Sequence, residues 1–450
     1  MSQYIINGGQ KLTGEVSLRG AKNAGFKQII ASLLTDQTCH IKNLPQISDV
    51  KITQGIARSL GAKIQKTGQH SIKIRTPHID NPIVPGGTGK KSRASFMFTA
   101  PLLVRCGQAS TPMPGGDRLG ARPLNRLIDA FSQMNIQTDI KKNSIFFHSS
   151  ELKPTTYTFP QPSHTTTEVL TMTAALIPGI TRLHNAALEP EIDDLILMLN
   201  KMGAKIKRNS KNPKQIIIRG VKKLKGVDHQ VISDRNEAVT FACAALATKG
   251  WVNILRIDPN RIKAFLDIVE QMGADIDRGE DEVTVKWVRP LKACQIETSP
   301  EPGFMTDWQA TFSVLLTQAI GSSIIIEKIY PYRFHHIAHL QKMGAKIKLF
   351  NPPVKNPLKY YHFNPESDRP QYFHAVKIYG PCQLQPINLD ISDLRSGACL
   401  TLAALAANGQ STINGVEYIA RGYERLAERL CYMGADICYI KTKSKSDRPK

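Results

Sequence analysis

The sequence lacks the patterns of membrane, secreted and disulfide-stabilised proteins. No apolar run approaches the roughly 20 residues that a membrane-spanning helix needs, and the first residues do not form a signal peptide. The eight cysteines are scattered and contain no CxxC pair, whereas zinc sites and disulfide frameworks use closely spaced cysteines. We therefore expect a cytoplasmic protein with buried, reduced thiols and no membrane partner.

Acidic residues are scarce relative to basic ones. The 59 Lys and Arg side chains outnumber the 37 Asp and Glu side chains, which gives a formal net charge of +22. Nucleic-acid-binding proteins concentrate such charge in a patch with interleaved aromatic side chains, but here it is spread along the chain. The one basic run, residues 441–450, has the composition of a disordered tail. The charge thus indicates solubility and attraction for an anionic substrate, with no nucleic-acid partner.

Two short motifs look like metal or nucleotide sites but lack essential residues. His335, His336 and His339 could place two imidazoles on one helical turn, but no Glu stands in the HExxH arrangement and no further ligands are nearby. Residues 86–92 read GGTGKKS, which lacks the first glycine of a phosphate-binding loop and the Ser or Thr after its lysine. We expect neither a metal nor a cofactor.

A five-residue motif divides the 450-residue chain into repeats. The pattern Leu/Met-Gly-Ala-Lys/Asp-Ile begins at Leu60, Met202, Met272, Met343 and Met433, and a degenerate copy begins at Met134. Neighbouring copies are 68 to 74 residues apart, except for the last pair, which is 90 apart. Six copies indicate six related structural repeats, which are longer than the common solenoid repeats.

Each repeat predicts the same order of helices and strands. Before the glycine, apolar residues recur with helical spacing, for example Ile192, Leu195, Leu199 and Met202. The glycine suits a left-handed helix C-cap, and the residues after it start a strand. Earlier in each repeat lies a second helix of small apolar residues, such as residues 243–246. We predict an α/β fold of strand-helix-strand-helix-strand-strand repeats, three to a domain, with the small-residue helices buried and the sheets outside.

The fifth repeat carries about 20 extra residues around positions 351–373, and they are rich in Pro, Tyr and Phe. Long segments without regular structure lie on protein surfaces. We predict a surface insertion here, with a binding arm as the alternative.

The second repeat contains a loop, residues 112–123, whose three glycines and three prolines exclude a helix or a central strand. Within it lie one carboxylate, Asp117, and two guanidinium groups, Arg118 and Arg122, a combination that suits proton transfer beside an anion. A solvated surface turn is the alternative. We interpret the loop as a lid that closes over a bound molecule.

Further motifs at fixed places in the repeats carry a family resemblance. They are Gly20-Ala21-Lys22-Asn23-Ala24, the 112–123 loop, Glu189-Pro190-Glu191-Ile192, Asp393-Leu394-Arg395 and Arg421-Gly422-Tyr423-Glu424-Arg425. With them, almost the whole chain resembles the UDP-N-acetylglucosamine 1-carboxyvinyltransferases of the enolpyruvyltransferase family. The sister enzymes that act on shikimate 3-phosphate share the fold but carry a Gly-Asp-Lys-Ser-type motif at the first of these places.

The resemblance implies a fold and a reaction. The fold is the inside-out α/β barrel with two domains of three repeats each. The reaction transfers the enolpyruvyl group of phosphoenolpyruvate to the 3-hydroxyl of UDP-N-acetylglucosamine, the first committed step of peptidoglycan synthesis. The implied domains are residues 22–232 with the lid, and residues 1–21 with 233–440, followed by the basic tail. The two domains are expected to close around the substrates. The sequence predicts no oligomeric state.

The resemblance also implies a catalytic site. Phosphoenolpyruvate is strongly anionic and needs fixed cations when it is held out of water. Asp117 occupies the proton-donor position, where the family more often has Cys and a recognised subset has Asp. Asp307 matches the carboxylate near the acceptor hydroxyl, with a helix N-cap as its structural alternative. The family's cationic positions are matched by Lys22, Arg122, Arg395 and Arg421.

A further set of positions matches those that hold the acceptor in the family. Together with Lys22 and Asp307, they are Asn23, Arg93, Arg122, Pro123, Leu124, Asn125, Ser163 and Ile329. Four places depart from the family pattern. Ser48 replaces a lysine, Asn125 replaces an Asp that contacts the uracil, and Thr165 replaces a usual glycine. Pro331-Tyr332-Arg333-Phe334 lacks the usual Asn before Arg-Phe. Two alternatives therefore stay open: transfer to a different nucleotide or nucleotide sugar, and a non-catalytic paralogue that binds a nucleotide sugar.

Overall fold

The computed structural model describes residues 2–113, 124–363 and 365–441. Its strands are, in chain order, β1 (Ser2–Gly8), β2 (Thr13–Ser17), β3 (Cys39–Lys42), β4 (Lys63–Gly68), β5 (Ser71–Arg75), β6 (Gln108–Pro112), β7 (Gln137–Lys141), β8 (Ser144–His148), β9 (Thr156–Thr158), β10 (Gly179–His184), β11 (Lys205–Arg208), β12 (Ile216–Gly220), β13 (Asp228–Gln230), β14 (Trp251–Leu255), β15 (Asp275–Arg278), β16 (Glu282–Lys286), β17 (Gln295–Glu297), β18 (Gly321–Ile326), β19 (Lys346–Phe350), β20 (Ala375–Gly380), β21 (Asn388–Asp390), β22 (Gly409–Asn414) and β23 (Asp436–Lys441).

The α-helices are α1 (Lys22–Ala31), α2 (Ser48–Ser59), α3 (Gly86–Gly89), α4 (Thr99–Cys106), α5 (Asn125–Gln133), α6 (His164–Ala174), α7 (Pro190–Lys201), α8 (Arg235–Ala247), α9 (Lys263–Met272), α10 (Gln309–Thr317), α11 (Ile337–Lys342), α12 (Pro357–Tyr360), α13 (Leu394–Ala406) and α14 (Leu426–Cys431). Short 3₁₀ helices lie at Ser32–Leu34, Arg93–Phe98, Pro259–Ile262, Pro365–Ser367 and Val416–Arg421.

Contacts divide the chain into two compact domains. The first domain comprises residues 19–113 and 124–233, and the second comprises residues 2–18 and 234–441. Each domain has its own apolar core. The two cores contain different helices and strands, so each domain buries its own apolar side chains.

The third repeat shows the shared architecture. β9 is followed by α6, β10, α7, β11 and β12, and the strands form one sheet in the order β11-β12-β10-β9. β9 runs parallel to β10, as strands joined by a crossover helix do, whereas β12 is antiparallel to its neighbours. In the second repeat the first strand is reduced to one parallel bridge between Ile83 and Ser110. The predicted order of elements and the α/β class are confirmed.

Three repeats are completed by strands from a distant part of the chain. β13 lies parallel to β3 and supplies the first strand of the first repeat. In the second domain, β2 lies parallel to β14 and opens the fourth repeat, while β1 lies between β22 and β23 and closes the sixth. Residues 2–18 therefore belong to the sheets of the second domain.

The first full helix of each repeat is deeply buried, as its small residues predict. All 13 residues of α8 are buried, and so are all 9 residues of α10. In the second domain α8, α10 and α13 contact one another. Ala, Ser and Cys side chains allow these helices to approach closely, and the sheets cover them.

The motif glycines adopt the predicted left-handed conformation at the ends of the second helices. A side chain is strained at such φ values, which explains the glycines, and Asn tolerates them better than other residues. The φ values are 97° at Gly61, 103° at Gly203, 110° at Gly273, 89° at Gly344 and 94° at Gly434, with 61° at Asn135 in the degenerate copy. A strand begins two residues after each of these positions.

The extra residues of the fifth repeat connect β19 to β20 and fold back onto that repeat. The buried Tyr361 ring stacks on Phe363, with centroids 4.8 Å apart. Tyr360 donates a hydrogen bond to Glu297 Oε1 at 2.9 Å, and Lys328 Nζ lies 4.3 Å from the Tyr360 ring centroid. Most other residues of the segment are exposed.

The eight cysteines are all free, and four of them are buried. The expectation of buried thiols is wrong for Cys431 and Cys438, which are exposed at the end of α14 and on the edge strand β23. None of the helices described is long and apolar enough to cross a membrane.

Candidate functional site

The predicted site residues of the first domain lie at the starts of helices. Lys22 and Asn23 are the first two residues of α1, Ser163 immediately precedes α6, and Arg93 opens the 3₁₀ helix that leads into α4. The unpaired N–H groups and the dipole at a helix N-terminus favour anions. These positions therefore suit an anionic substrate.

Lys22 is held in place by an acidic neighbour. Its Nζ lies 3.1 Å from Asp49 Oδ2, and only 13% and 6% of the two side chains are exposed. Asp49 lies in the first turn of α2, directly after Ser48. The ion pair fixes the ammonium group at the N-terminal end of α1, where it adds a full positive charge to the helix dipole.

The remaining described residues expected at the acceptor differ in exposure. The Arg93 guanidinium lies 5.6 Å from the ring centroid of Phe96, and Arg93 and Leu124 are half-buried. Asn125, the first residue of α5, is exposed. Ser163 Oγ donates to Thr166 Oγ1 at 2.9 Å. Asp117, Arg122 and Pro123 lie outside the described residues, as does the lid from residue 114 to 123.

In the second domain, Asp307 lies between two arginines. Its Oδ1 accepts a hydrogen bond from Arg333 Nη2 at 2.5 Å, and its Oδ2 accepts one from Arg395 Nη2 at 3.0 Å. The arginine side chains are 3% and 11% exposed, whereas 22% of the Asp307 side chain is exposed. α10 has Trp308 as its N-cap, so Asp307 lies one residue before the cap. A partly exposed carboxylate between two buried cations can accept a hydrogen bond from a bound hydroxyl.

Arg395 connects Asp307 to two of the buried helices. It is the second residue of α13, and its Nη1 donates to Tyr423 Oη at 3.0 Å, which lies 2.8 Å from Thr240 Oγ1 on α8. Burial alone would lower the pKa of Arg395, but Asp307 and other negative neighbours raise it above its usual value. Burial raises the pKa of Tyr423. The arginine is therefore charged and the phenol neutral over the physiological pH range.

Asp393 fixes the N-terminus of α13, and with it Arg395. As N-cap it accepts hydrogen bonds from the backbone N–H groups of Arg395 and Ser396, both at 3.0 Å, and its Oδ2 lies 2.8 Å from His335 Nε2. Burial acts to raise the pKa of Asp393, but the His335 contact and the N–H donors hold it well below its usual value. Arg421 ends the 3₁₀ helix after β22 and is half-buried.

Ile329 lies in a turn that is held by a buried carboxylate. Glu327 Oε1 accepts hydrogen bonds from the N–H groups of Ile329 at 2.8 Å and Tyr330 at 3.1 Å. Its Oε2 accepts one from Thr306 Oγ1 at 2.9 Å. Burial raises the pKa of Glu327, although Arg333 opposes the shift. Glu327 thus joins the Ile329 turn to the residue that precedes Asp307.

Sequence reasoning missed Arg333, Tyr423 and Glu327 as parts of this arrangement. The Arg333–Asp307 and Glu327–Thr306 contacts join residues 26 and 21 positions apart. These separations follow neither the helical nor the strand period, so no local pattern predicts them. Tyr423 lies within the motif that begins at Arg421, whereas for Arg333 and Glu327 the signal was a charged residue next to apolar or aromatic ones.

No metal site is present among the residues described. These residues contain no group of three or more His, Cys, Asp or Glu side chains that could hold an ion. Two histidines of the 335–339 cluster have other contacts: His335 Nε2 bonds to Asp393, and His336 Nε2 lies 3.4 Å from Ser313 Oγ. The described side chains instead offer cations and carboxylates for an organic anion.

Comparison with known proteins identifies the family. The family model of EPSP synthase (3-phosphoshikimate 1-carboxyvinyltransferase) matches residues 6–430. The chain belongs to the EPSP synthase family. Within this family it is similar to the UDP-N-acetylglucosamine 1-carboxyvinyltransferase of Dichelobacter nodosus, with 36% identity over 437 residues, covering 97% of this chain and 99% of the relative. The enzyme of the same name from Campylobacter hominis is 36% identical over 432 residues, covering 96% and 98%. The resemblance inferred from the motifs is confirmed.

Solved structures of an enolpyruvyl transferase and of an EPSP synthase share the fold. The enolpyruvyl transferase NikO from Streptomyces tendae matches with a TM-score of 0.84 and 24% identity, covering 98% of this chain and 100% of NikO. An EPSP synthase from Acinetobacter baumannii matches with a TM-score of 0.69 and 19% identity, at the same coverage. At these identities the likeness shows the fold alone, and it confirms the predicted two-domain inside-out α/β barrel.

Proposed function

We propose that this chain transfers the enolpyruvyl group of phosphoenolpyruvate to the 3-hydroxyl of UDP-N-acetylglucosamine and releases phosphate, as a cytoplasmic enzyme of peptidoglycan synthesis. The names of relatives that cover nearly the whole chain support this acceptor. The observation that carries the chemistry is the Asp307 carboxylate, partly exposed between the buried Arg333 and Arg395. An acceptor hydroxyl needs such a proton acceptor, and phosphoenolpyruvate needs a cation such as Arg395.

In the addition step, the acceptor oxygen forms a bond to C2 of phosphoenolpyruvate. The hydroxyl proton passes to Asp307, and C3 gains a proton from Asp117. In the elimination step, the C2–O bond to phosphate breaks, C3 returns one proton to the Asp117 carboxylate, and the double bond re-forms. The proton held by Asp307 passes to the departing phosphate, which restores both carboxyl groups. The products are the enol ether and inorganic phosphate, so atoms and charges balance without a cofactor. One carboxylate that acts as general base, Asp307, and one carboxylic acid that acts as general acid, Asp117, therefore suffice for acid–base catalysis.

Four cations bind the phosphoenolpyruvate anion in this proposal. They are Lys22 at the start of α1, Arg122 of the lid, Arg395 at the start of α13 and Arg421. Fixed cations in a water-excluded site stabilise charge that develops in the transition state more strongly than cations in water can.

The acceptor is held by the remaining residues of the proposed site. Asn23 contacts the sugar, and the nucleotide lies against the set Arg93, Arg122, Pro123, Leu124, Asn125, Ser163 and Ile329. Asn125 in this set and Thr165, two residues after Ser163, depart from the family pattern, so they favour transfer to another nucleotide sugar as the second candidate function.

The test is phosphate release from phosphoenolpyruvate with a panel of UDP-sugars. We expect release that depends on UDP-N-acetylglucosamine and is lost in Asp307→Asn. Release with a different UDP-sugar alone would establish the second candidate. Binding of a UDP-sugar without phosphate release from any panel member would establish the non-catalytic paralogue and refute the proposed reaction.

A further inference from the structure

The first domain contains a cluster of three ionisable side chains where α1 meets α6. Lys27 Nζ lies 2.8 Å from His164 Nε2 and 2.5 Å from Glu168 Oε1. His164 Nε2 is itself 3.2 Å from the same Glu168 oxygen. Buried charges are unfavourable unless they are paired, and in this cluster the three side chains contact one another.

The cluster lies beside two residues that are proposed to hold the acceptor. Lys27 follows Asn23 by four residues on α1, a spacing that places both on one helix face. His164 directly follows Ser163 at the start of α6. Lys27 is 3% exposed and Glu168 is fully buried, whereas 22% of the His164 side chain is exposed. His164 is thus the member of the cluster that a ligand can reach.

His164 Nε2 lies near both a donor and an acceptor. In the neutral ring, Nε2 accepts a hydrogen bond from the Lys27 ammonium group, which can only donate, and the ring proton is then on Nδ1. In the cation both nitrogens carry a proton, and Nε2–H can donate to Glu168 Oε1 at 3.2 Å. Nδ1 is therefore a donor in both protonation states, and among the described residues it has no hydrogen-bond partner.

One oxygen of each of two nearby carboxylates also lacks a donor among the described residues. Among the described residues, Oε2 of Glu168 and Oε2 of Glu189 are buried and accept no hydrogen bond. Glu189 is the N-cap of α7 and interacts electrostatically with His164. Burial and Lys27 lower the pKa of His164, Glu168 and Glu189 raise it, and the balance leaves it above its usual value. Buried acceptor atoms without a donor are rare in folded proteins, and a sugar hydroxyl could supply one.

We propose that His164 is a specificity-determining contact for the acceptor, whose Nδ1–H donates a hydrogen bond to an oxygen of the nucleotide sugar. Lys27 and Glu168 are positioning residues that fix the ring and its tautomer. This inference rests on the proposed function, because it assigns a role within the same acceptor site. The competing explanation is a purely structural bridge between α1 and α6, which would act through Nε2.

A pair of variants separates these two explanations. In His164→Asn the side-chain amide can donate from the position of Nδ1, whereas in His164→Gln it reaches the position of Nε2. We expect Asn to keep the Kd and KM for UDP-N-acetylglucosamine within about threefold, and Gln to raise both about tenfold or more. The KM for phosphoenolpyruvate should change in neither. The structural bridge predicts the reverse order, with the larger loss in thermal stability for Asn, and that result would overturn the proposal.

Lys27→Met tests the positioning role through a pH profile. Without the ammonium, Nε2–H can donate to Glu168 and the neutral ring presents Nδ1 as an acceptor, so only the imidazolium still donates to the ligand. Affinity for UDP-N-acetylglucosamine should then fall as pH rises through the His164 pKa, with Glu168 and Glu189 as the other titratable groups at the ring. The unsubstituted protein should show no such fall. Equal profiles would refute the positioning role of Lys27.

Calorimetric binding of UDP-N-acetylglucosamine to the full chain, without phosphoenolpyruvate, separates failure of this inference from failure of the proposed function. Normal turnover with equal affinity in both His164 variants would overturn the inference alone. Binding that follows the predicted order without any phosphate release would support the inference and refute the reaction. Absence of binding to the unsubstituted chain would refute both.

Discussion

Asp307→Asn should remove most of the turnover while the second domain stays folded. The substitution keeps the size of the side chain but leaves a group that cannot take up the hydroxyl proton. Loss of a general base typically lowers the rate by about 10²–10⁴-fold, which corresponds to about 3–5 kcal/mol in the activation barrier. We expect the loss to appear in kcat, because the hydroxyl proton moves only during the reaction.

The cost in stability should be much smaller than the cost in rate. Removing one partner of a fully buried ion pair costs about 3–5 kcal/mol. The Asp307 side chain is 22% exposed, and the Asn oxygen can still accept a hydrogen bond from Arg333 or Arg395. We therefore expect a loss of about 1–2 kcal/mol in the free energy of unfolding.

Arg333→Met is the matched control, because it breaks the same ion pair from the other side and leaves the carboxylate in place. The assay combines initial rates of phosphate release with urea unfolding followed by tryptophan fluorescence. All three tryptophans, Trp251, Trp287 and Trp308, lie in the second domain and report its unfolding. Equal losses of kcat in the two variants would show that Asp307 acts through the ion pair and not as a proton acceptor.

Arg421→Ala should lower kcat/KM for phosphoenolpyruvate by about 10- to 100-fold, because a charge-assisted contact contributes about 1.5–3 kcal/mol. An equal loss of affinity for the UDP-sugar, measured by calorimetry, would contradict this assignment. Fosfomycin, which alkylates the thiol at the acid position of related enzymes, should leave turnover intact and form no adduct by mass spectrometry, because the Asp117 carboxylate is a poorer nucleophile than a thiolate. The variant Asp117→Cys should be inactivated by fosfomycin and should show the mass of one bound drug molecule. Lowering the pH from 7 to 5 should reduce the free energy of unfolding by about 2 kcal/mol through His336, because burial lowers its folded pKa to about 3 while the unfolded chain takes up a proton below about 6.5. The stabilising contribution of neutral His336 is complete above about pH 6.5 and is lost as pH falls toward 3. Denaturation of His336→Gln at the two pH values should not show this loss.

The repeat architecture could be predicted because its signals are local. The motif Met-Gly-Ala combines the last apolar residue of a helix with a glycine that must adopt positive φ, as Gly203 and Gly273 do. Asp234 and Asp393 follow the same local logic, since each caps its helix by accepting from N–H groups two and three residues ahead. Such features depend on the backbone within a few residues, and the sequence displays them directly.

The polar contacts around the site depend on separations that no local period encodes. Arg333 meets Asp307 only after a helix and a strand have folded between them. Lys27 meets Glu168 across 141 positions. For Lys27 and Glu168, the hint in the sequence was a charged residue within an otherwise apolar or Thr-rich helix, which does not identify its partner. For the lid residue Asp117, the composition of the loop and the family resemblance are the guides to a role.

The placement of residues 2–18 has a consequence for synthesis of the chain. β1 is made first, yet its partners β22 and β23 are made last, more than 400 residues later. The first domain has all its strands once residue 233 has left the ribosome, so it can fold at that stage. Residues 2–18 remain without their partner strands until the second domain has been synthesised. If the chain were divided between residues 233 and 234, β1 and β2 would remain with the first domain, apart from the sheets of the second domain to which they belong. The second piece should then regain its sheets only when a peptide of residues 2–18 is added.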